Sequence, residues 1–263
     1  MSRYSPSSSI EVLDRVLRDT SAPTGARRRL LQRVAMGVAA ASAGILASSA
    51  LADDRPDGPS KGDGPIDDWG VFTSTTEALT VTILDELLRR TSLHPEVPSE
   101  VSLTFDAVYA AELDHWNFIS QHFDPSTKHF WIPDGFFGGA DDALDLTAVG
   151  KGVSGGETLF VNTYLVGVTT FAEAGDPKFA RYAAEAAGDE SEHRVLGQTL
   201  AGASPPNNLG FEEFVFDNVG DIEAALVGAG FGLGQEGASP GRFYDFPEPP
   251  MAPPNSIESN EPT

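Results

Sequence analysis

A chain of 263 residues, 40% of them hydrophobic, is long enough to bury one medium-sized core, which excludes disorder throughout. It has no cysteine, which excludes disulfides, thiolate metal sites, iron–sulfur clusters and a lipidated-cysteine anchor, so a transition metal here must use histidine and carboxylate ligands. The formal net charge of −22 argues against a phosphate-binding nucleic-acid surface and against an anionic membrane partner; it favours solubility and draws cations without specifying a site for one.

Residues 1–26 are polar and lead into Arg27-Arg28-Arg29-Leu30-Leu31-Gln32, an apolar stretch over 34–46 rich in Ala and Gly, and a small-x-small site at Ala50-Leu51-Ala52. A positive segment, an apolar segment and a cleavage site in that order predict a secretory signal over 1–52. The paired arginines followed by two leucines resemble a twin-arginine signal, which implies the corresponding export machinery as a partner and a destination beyond the cytoplasmic membrane. A retained membrane anchor is the alternative, but the uncharged segment is at the short end for a span and rich in small residues, so no stable anchor is expected after cleavage.

Residues 53–71 read as a flexible linker of Asp, Gly, Pro and Lys. A helical period then places Glu77, Val81, Leu84 and Leu88 on one face of a first helix over 73–90, with Arg89 and Arg90 suited to its C-terminal dipole. After a Pro-containing turn at 93–98, a second helix over about 99–121 carries Phe105, Val108, Glu112, His115 and Ile119 in one stripe. Residues 122–156 hold aromatics, glycines and aspartates without sustained period, long enough to travel the length of a bundle if the next helix runs parallel to the second; 141–149 adds a short helical turn.

A third helix over 157–173 aligns Glu157, Val161, Tyr164, Val168 and Phe171. A fourth, over 177–200, carries Phe179, Ala183, Ala186, Glu190, His193 and Gly197, whose small members allow close helix approach. The predicted domain is therefore 72–204. A C-terminal extension over 205–244 contains a short helix at about 217–228 and a flexible glycine-rich stretch at 228–234, and 245–263 reads as a mobile, Pro- and Glu-rich tail.

Two tetrapeptides, Glu112-Leu113-Asp114-His115 and Glu190-Ser191-Glu192-His193, each set a carboxylate and an imidazole one helical turn apart on a core-facing stripe. With 5 histidines, chance places a glutamate three residues before one only about 0.3 times in a chain of this composition. Each motif is preceded at nearly equal distance by another glutamate, Glu77 and Glu157, with a turn near the midpoint of each interval, so two helical hairpins would bring Glu77 level with Glu112 and Glu157 level with Glu190. A competing reading applies to the two lone glutamates. Ser74-x-x-Glu77 and Ser154-x-x-Glu157 both fit a capping box, in which the glutamate turns back onto the helix start and meets no metal.

Together these motifs resemble the ferritin-like superfamily, in particular exported ferritin-like domain proteins that include plant desiccation-related relatives. The resemblance covers about half the chain, and it implies an all-α, ferritin-like four-helix bundle: two antiparallel hairpins joined by a long crossover, with a short extra C-terminal helix. It further implies a site for two metal ions, with one glutamate from each of two helices and a Glu-x-x-His from each of two others. Glu77 and Glu157 would be terminal ligands, Glu112 and Glu190 bridging ones, and His115 and His193 the single nitrogen ligands. That donor set suits two iron ions, with manganese as the alternative. The implied activity is oxidase, peroxidase or iron handling, and without cysteine a peroxidase resembling rubrerythrin would draw on an external electron donor.

A structural or stress-protection protein that keeps the bundle without catalysis is the competing function. Tyr164 reads either as a neighbour of the site or as an ordinary core tyrosine. His94, His122 and His129 read as solvated or packing residues, and Glu185 and Glu192 as solvated; no nucleophile elbow, phosphate loop or dinucleotide fingerprint is present.

Overall fold

The computed structural model describes residues 64–207, 209–248 and 250; the expected export signal and most of the expected linker and tail lie outside the described residues. The first helix, α1, spans Pro65–Leu93 and so begins within the expected linker. The reason is local: Gly64-Pro65 reads as a breaker, yet proline also pre-sets φ for a first helical turn, and Asp67 and Asp68 then sit at the positive end of the helix dipole. Two aromatics in this early part, Trp69 and Phe72, are buried. The Trp69 ring packs edge-on against Phe171 at 5.0 Å and Tyr164 at 6.1 Å, and its Nε1–H donates to the Thr163 carbonyl at 2.8 Å.

Helix α2 spans Ser99–Ile119 and packs back on α1 across the turn at 94–98. Helix α3 spans Leu146–Glu173, beginning a full three turns before the expected start at 157. Asp145 starts it, its carboxylate accepting from the Thr147 and Ala148 amides at 2.9 and 3.3 Å. After a turn through Gly175 at φ 75°, helix α4 spans Pro177–Leu200, capped by Asp176 on the Phe179 amide at 3.1 Å. The backbones of α3 and α4 meet at glycines. A side chain on Gly197 would stand 2.7 Å from the Ser154 nitrogen and 3.0 Å from the Gly150 carbonyl oxygen, which is why small residues recur on this helix.

Contacts between the hairpins fix their directions. Along α1, Trp69 faces Phe171 and Glu77 faces Tyr164, so α1 and α3 run antiparallel. On the other side Phe118 of α2 packs tilted against Tyr182 at 4.1 Å while His193 reaches Glu112, so α2 and α4 are antiparallel too. Helices α2 and α3 are consequently parallel, and residues 120–145 make the lengthwise crossing. Helix α5, Val219–Gly228, buries Val219, Ile222 and Leu226 against α1 and α3. The preceding segment is tied down by Glu212, which accepts from Arg194 at 2.6 and 2.8 Å and from Ser191 at 2.6 Å. No helix among the described residues is long and apolar enough to cross a membrane.

The expectation of an all-α chain needs correction, because a three-stranded antiparallel sheet accompanies the helices. Strand β1, His129–Pro133, lies between β2, Gly232–Leu233, and β3, Gly241–Asp245, in the order β2-β1-β3. Phe130 pairs with Leu233 on one side and Tyr244 on the other. The stretch 228–234 is therefore partly strand rather than a flexible segment, and the ordered chain continues past residue 245: Phe246 is buried, donates its amide to the Lys128 carbonyl at 2.9 Å and stacks on Trp116 at 4.5 Å.

Arg90 joins the crossing and the sheet to α1. Its fully buried guanidinium binds Glu86 at 2.7 Å, the Ala143 carbonyl at 2.6 Å and the Tyr244 hydroxyl at 3.0 Å, above the Phe137 ring. It also stands in the last turn of α1, which ends at Leu93, where its charge meets the negative end of the helix dipole. Breaking a buried pair on one side costs about 3–5 kcal/mol, so Arg90→Ala is expected to lower unfolding free energy by that order in chemical denaturation.

Candidate metal centre

Glu77, Glu112, Glu157 and Glu190 come from α1, α2, α3 and α4, and all four are buried. The capping alternative for the lone glutamates does not hold. Helix α1 starts at Pro65 and α3 at Leu146, so Ser74 and Ser154 are interior residues and neither glutamate lies in a first turn. Each instead sits where its helix faces the others.

The six residues singled out from the sequence form two groups that share two members. Glu77, Glu112, His115 and Glu190 bring one donor atom each within 4.8 Å of one another, and so do Glu112, Glu157, Glu190 and His193. The shared glutamates each offer one oxygen to each side. Glu112 places Oε2 3.6 Å from His115 Nδ1 and Oε1 2.7 Å from His193 Nδ1; Glu190 places Oε1 3.2 Å from His115 Nδ1 and Oε2 3.4 Å from His193 Nδ1. These approaches are close but misaligned for hydrogen bonds. Both oxygens of Glu112 and Glu190, one oxygen of Glu77 and of Glu157, and both Nδ1 atoms are buried with no hydrogen-bond partner.

Such a set of orphaned atoms is costly, since unpaired buried polar groups each cost about 1–3 kcal/mol and charges more. The charges respond to one another. Burial pushes the Glu77 and Glu157 carboxyls well above the usual carboxylate range, and the neighbouring Glu112 and Glu190 push the same way. For both imidazoles burial opposes protonation, but the surrounding carboxylates outweigh it, led by Asp189 for His115 and by Glu112 for His193, and hold each well above its ordinary value. Burial works against the Glu112 charge too; the imidazoles of His193 and His115 outweigh it and hold the carboxyl well below its usual range. Metal-free, then, the cluster balances its negative charge with protons.

The donor chemistry fits cations. Carboxylate and imidazole ligands stand about 2.0–2.2 Å from a divalent transition metal, so donors of one ion are at most a little over 4 Å apart, a span compatible with donor atoms that all lie within 4.8 Å of one another in each group. Three carboxylates and one imidazole per side are hard and borderline donors, suited to iron or manganese.

Two residues extend the site. Asp189 was not singled out from the sequence. Its Oδ2 lies 3.3 Å from His115 Nε2 and 3.7 Å from His193 Nε2, so a single carboxylate faces the outer nitrogen of both rings while Nδ1 points inward. The His115 imidazole, with the charge of His193, outweighs burial and keeps Asp189 below the usual carboxylate range. An outer carboxylate of this kind fixes ring orientation in metal sites. Its i,i+4 spacing to His193 was available in the sequence, but its reach to His115 on another helix was not. Tyr164 is the second: its hydroxyl donates to Glu77 Oε1, so it touches a candidate ligand rather than only filling the core. Burial, with the Glu77 charge, pushes the phenol up.

The remaining candidates lie elsewhere. His94 bridges Glu96 and the Asp142 carbonyl, His129 pairs with Asp245 in the sheet, His122 packs on Phe118 and Phe179, and Glu185 and Glu192 are exposed. Compared with models of protein families, with curated proteins and with solved structures, the chain matches none.

Proposed function

We propose that the chain is an exported ferritin-like protein whose four long helices form a four-helix bundle around a carboxylate-bridged pair of metal ions, iron in the first instance. The single observation that carries this reading is the arrangement of Glu112 and Glu190: two buried carboxylates from different helices, each with one oxygen toward each of two imidazoles and none of those oxygens hydrogen-bonded. The carboxylates and imidazoles approach as ion pairs without aligned hydrogen bonds, and two cations would satisfy the inward-facing atoms of both.

On this reading Glu77 and His115 would hold one ion and Glu157 and His193 the other, with Glu112 and Glu190 available to both. Bound iron would supply one-electron redox chemistry toward dioxygen or peroxide. The chain's own residues do the rest: Asp189 orients both rings, Tyr164 holds Glu77 by its proton, and the apolar faces of α1 and α3 keep bulk water away. Electrons come from an external donor. The twin-arginine pattern supports export of the folded protein, so that metal is loaded in the cytoplasm before the chain leaves it.

Mixing Fe(II)-loaded protein with oxygen or peroxide and following ferric absorbance tests the function. Rapid oxidation, faster than for free Fe(II) and lost in Glu112→Ala/Glu190→Ala, is expected. Bound iron that oxidises no faster than free iron would leave the stress-protection role as the better account.

Metal binding should also release protons. The ligands hold protons on groups shifted upward, so affinity rises with pH until Glu77, Glu157 and both imidazoles have lost theirs. Calorimetric titration of metal into protein in buffers of different ionisation enthalpy should show more than one proton released per chain near neutral pH, and weaker binding at pH 5 than at pH 7.

A further inference from the structure

One side of the candidate centre opens into a cavity of about 410 Å³. Its walls include Leu84, Phe105, Val108, Phe160, Phe216 and Phe231, contributed by four different parts of the chain. Glu157 and His193, both buried, lie at its inner end, while Glu100 and Thr199, both exposed, and the partly buried Thr104 line it elsewhere. Along α2 the lining runs from Glu100 to Val108, which at 1.5 Å per residue is about 12 Å of depth.

The contents of that space follow from its chemistry. Among the described residues the lining has no Lys or Arg, and its one imidazole, His193, already faces Glu112 at 2.7 Å and Glu190 at 3.4 Å, so an organic anion finds no unmatched side-chain counter-charge there. The volume falls within the ~300–1,000 Å³ usual for small-molecule sites. At the ~30 Å³ a water-sized group occupies in a liquid, it holds on the order of a dozen heavy atoms. Gly156, next to Glu157, lines the same space, and a Cβ built there meets nothing within 4 Å. The fold therefore keeps room beside the candidate ligand that no protein atom fills, whereas Gly150, Gly152 and Gly197 on the same helix pair are pressed by neighbours.

We infer that this cavity binds an uncharged, chain-like apolar molecule of about a dozen heavy atoms, with one end at the Glu157–His193 side of the centre. The location of that end beside a metal rests on the function proposed above; the cavity and its apolar selectivity do not. The ligand class separates this protein from one that handles iron alone, because an iron store has no use for a greasy chamber against one ligand pair.

Decan-1-ol is a suitable probe, with decanoate as its charged counterpart, titrated calorimetrically into the full chain prepared metal-free and again loaded with Mn(II). Saturable binding of one decan-1-ol per chain is expected in both forms, with decanoate at least tenfold weaker in the metal-free form. Gly156→Leu should weaken decan-1-ol at least tenfold and Gly156→Ala less, while both variants keep the metal content of the parent. In the Mn(II) form, proton resonances at one end of bound decan-1-ol should broaden more than those at the other. No saturable binding, equal binding to Gly156→Leu of unchanged fold and metal content, or tighter decanoate binding by metal-free protein would each overturn the inference. Failure of Mn(II) to bind while decan-1-ol still binds would count against the metal centre and not against the cavity.

Discussion

Changing both shared glutamates, Glu112→Gln with Glu190→Gln, is expected to remove both metal ions, whereas Glu77→Gln or Glu157→Gln should each remove or weaken one. The asymmetry follows from the geometry. Glu112 and Glu190 belong to both donor groups, while Glu77 with His115 and Glu157 with His193 belong to one each. Losing two of four ligands on each side, and the charge of both, should cost at least a thousandfold in affinity, about 4 kcal/mol at 1.4 kcal/mol per decade. Elemental analysis after dialysis against limiting metal reads the result: near two ions per chain for the parent, near one for each terminal variant, near none for the double. Equal loss from all four single glutamate changes would indicate a cluster without distinct bridging members.

The second large effect is on stability. Metal-free, the fold holds four buried glutamates whose mutual repulsion is relieved only by protons. For Glu77 and Glu157 the folded-state value lies above the unfolded one, so their stability contribution is complete at acid pH and is lost as pH rises through the folded-state value. The raised imidazoles act in the same direction, their contribution being present below their unfolded value and lost above. Metal-free protein should therefore lose thermal stability from about pH 5 upward, because unfolding releases protons throughout that range. Bound metal is expected to reverse this. At a free concentration a thousand times Kd it contributes about 4 kcal/mol by mass action, which for a domain of this size is a rise in Tm of about 8–16 °C. Glu157→Gln, by contrast, should raise the Tm of metal-free protein above the parent's and reduce the rise on adding metal. A stabilising ion network would behave oppositely: the same change would lower Tm, and metal would add nothing.

The elements that could be read from the sequence were those whose information is local. The two Glu-x-x-His motifs stood on long apolar stripes, and a helix turn is enough to align a carboxylate with an imidazole, so α2 and α4 and four of the six candidate ligands were visible at once. Glu77 and Glu157 were ambiguous because Ser-x-x-Glu looks the same at a helix start and in a helix interior. Only the true starts, Pro65 and Leu146, resolve it, and the first was masked by reading Gly64-Pro65 as linker while the second lay in a glycine-rich stretch of low apparent helicity. The sheet was missed because β1 is five residues long and its partners follow about a hundred residues later, one of them a Gly-Leu pair with no strand signature. Asp189 and the cavity were beyond reach for a related reason: each is made where helices distant in sequence meet. An aspartate one position before a candidate ligand looks like a solvated residue until His115 arrives from α2.

The most direct test of the central claim is anomalous X-ray scattering from crystals of the iron-loaded chain. The account predicts two peaks, both between Glu112 and Glu190, one within ligand distance of Glu77 and His115 and the other of Glu157 and His193. Density for a single ion outside this cluster, or iron-soaked crystals with no anomalous peak among these six residues, would contradict it.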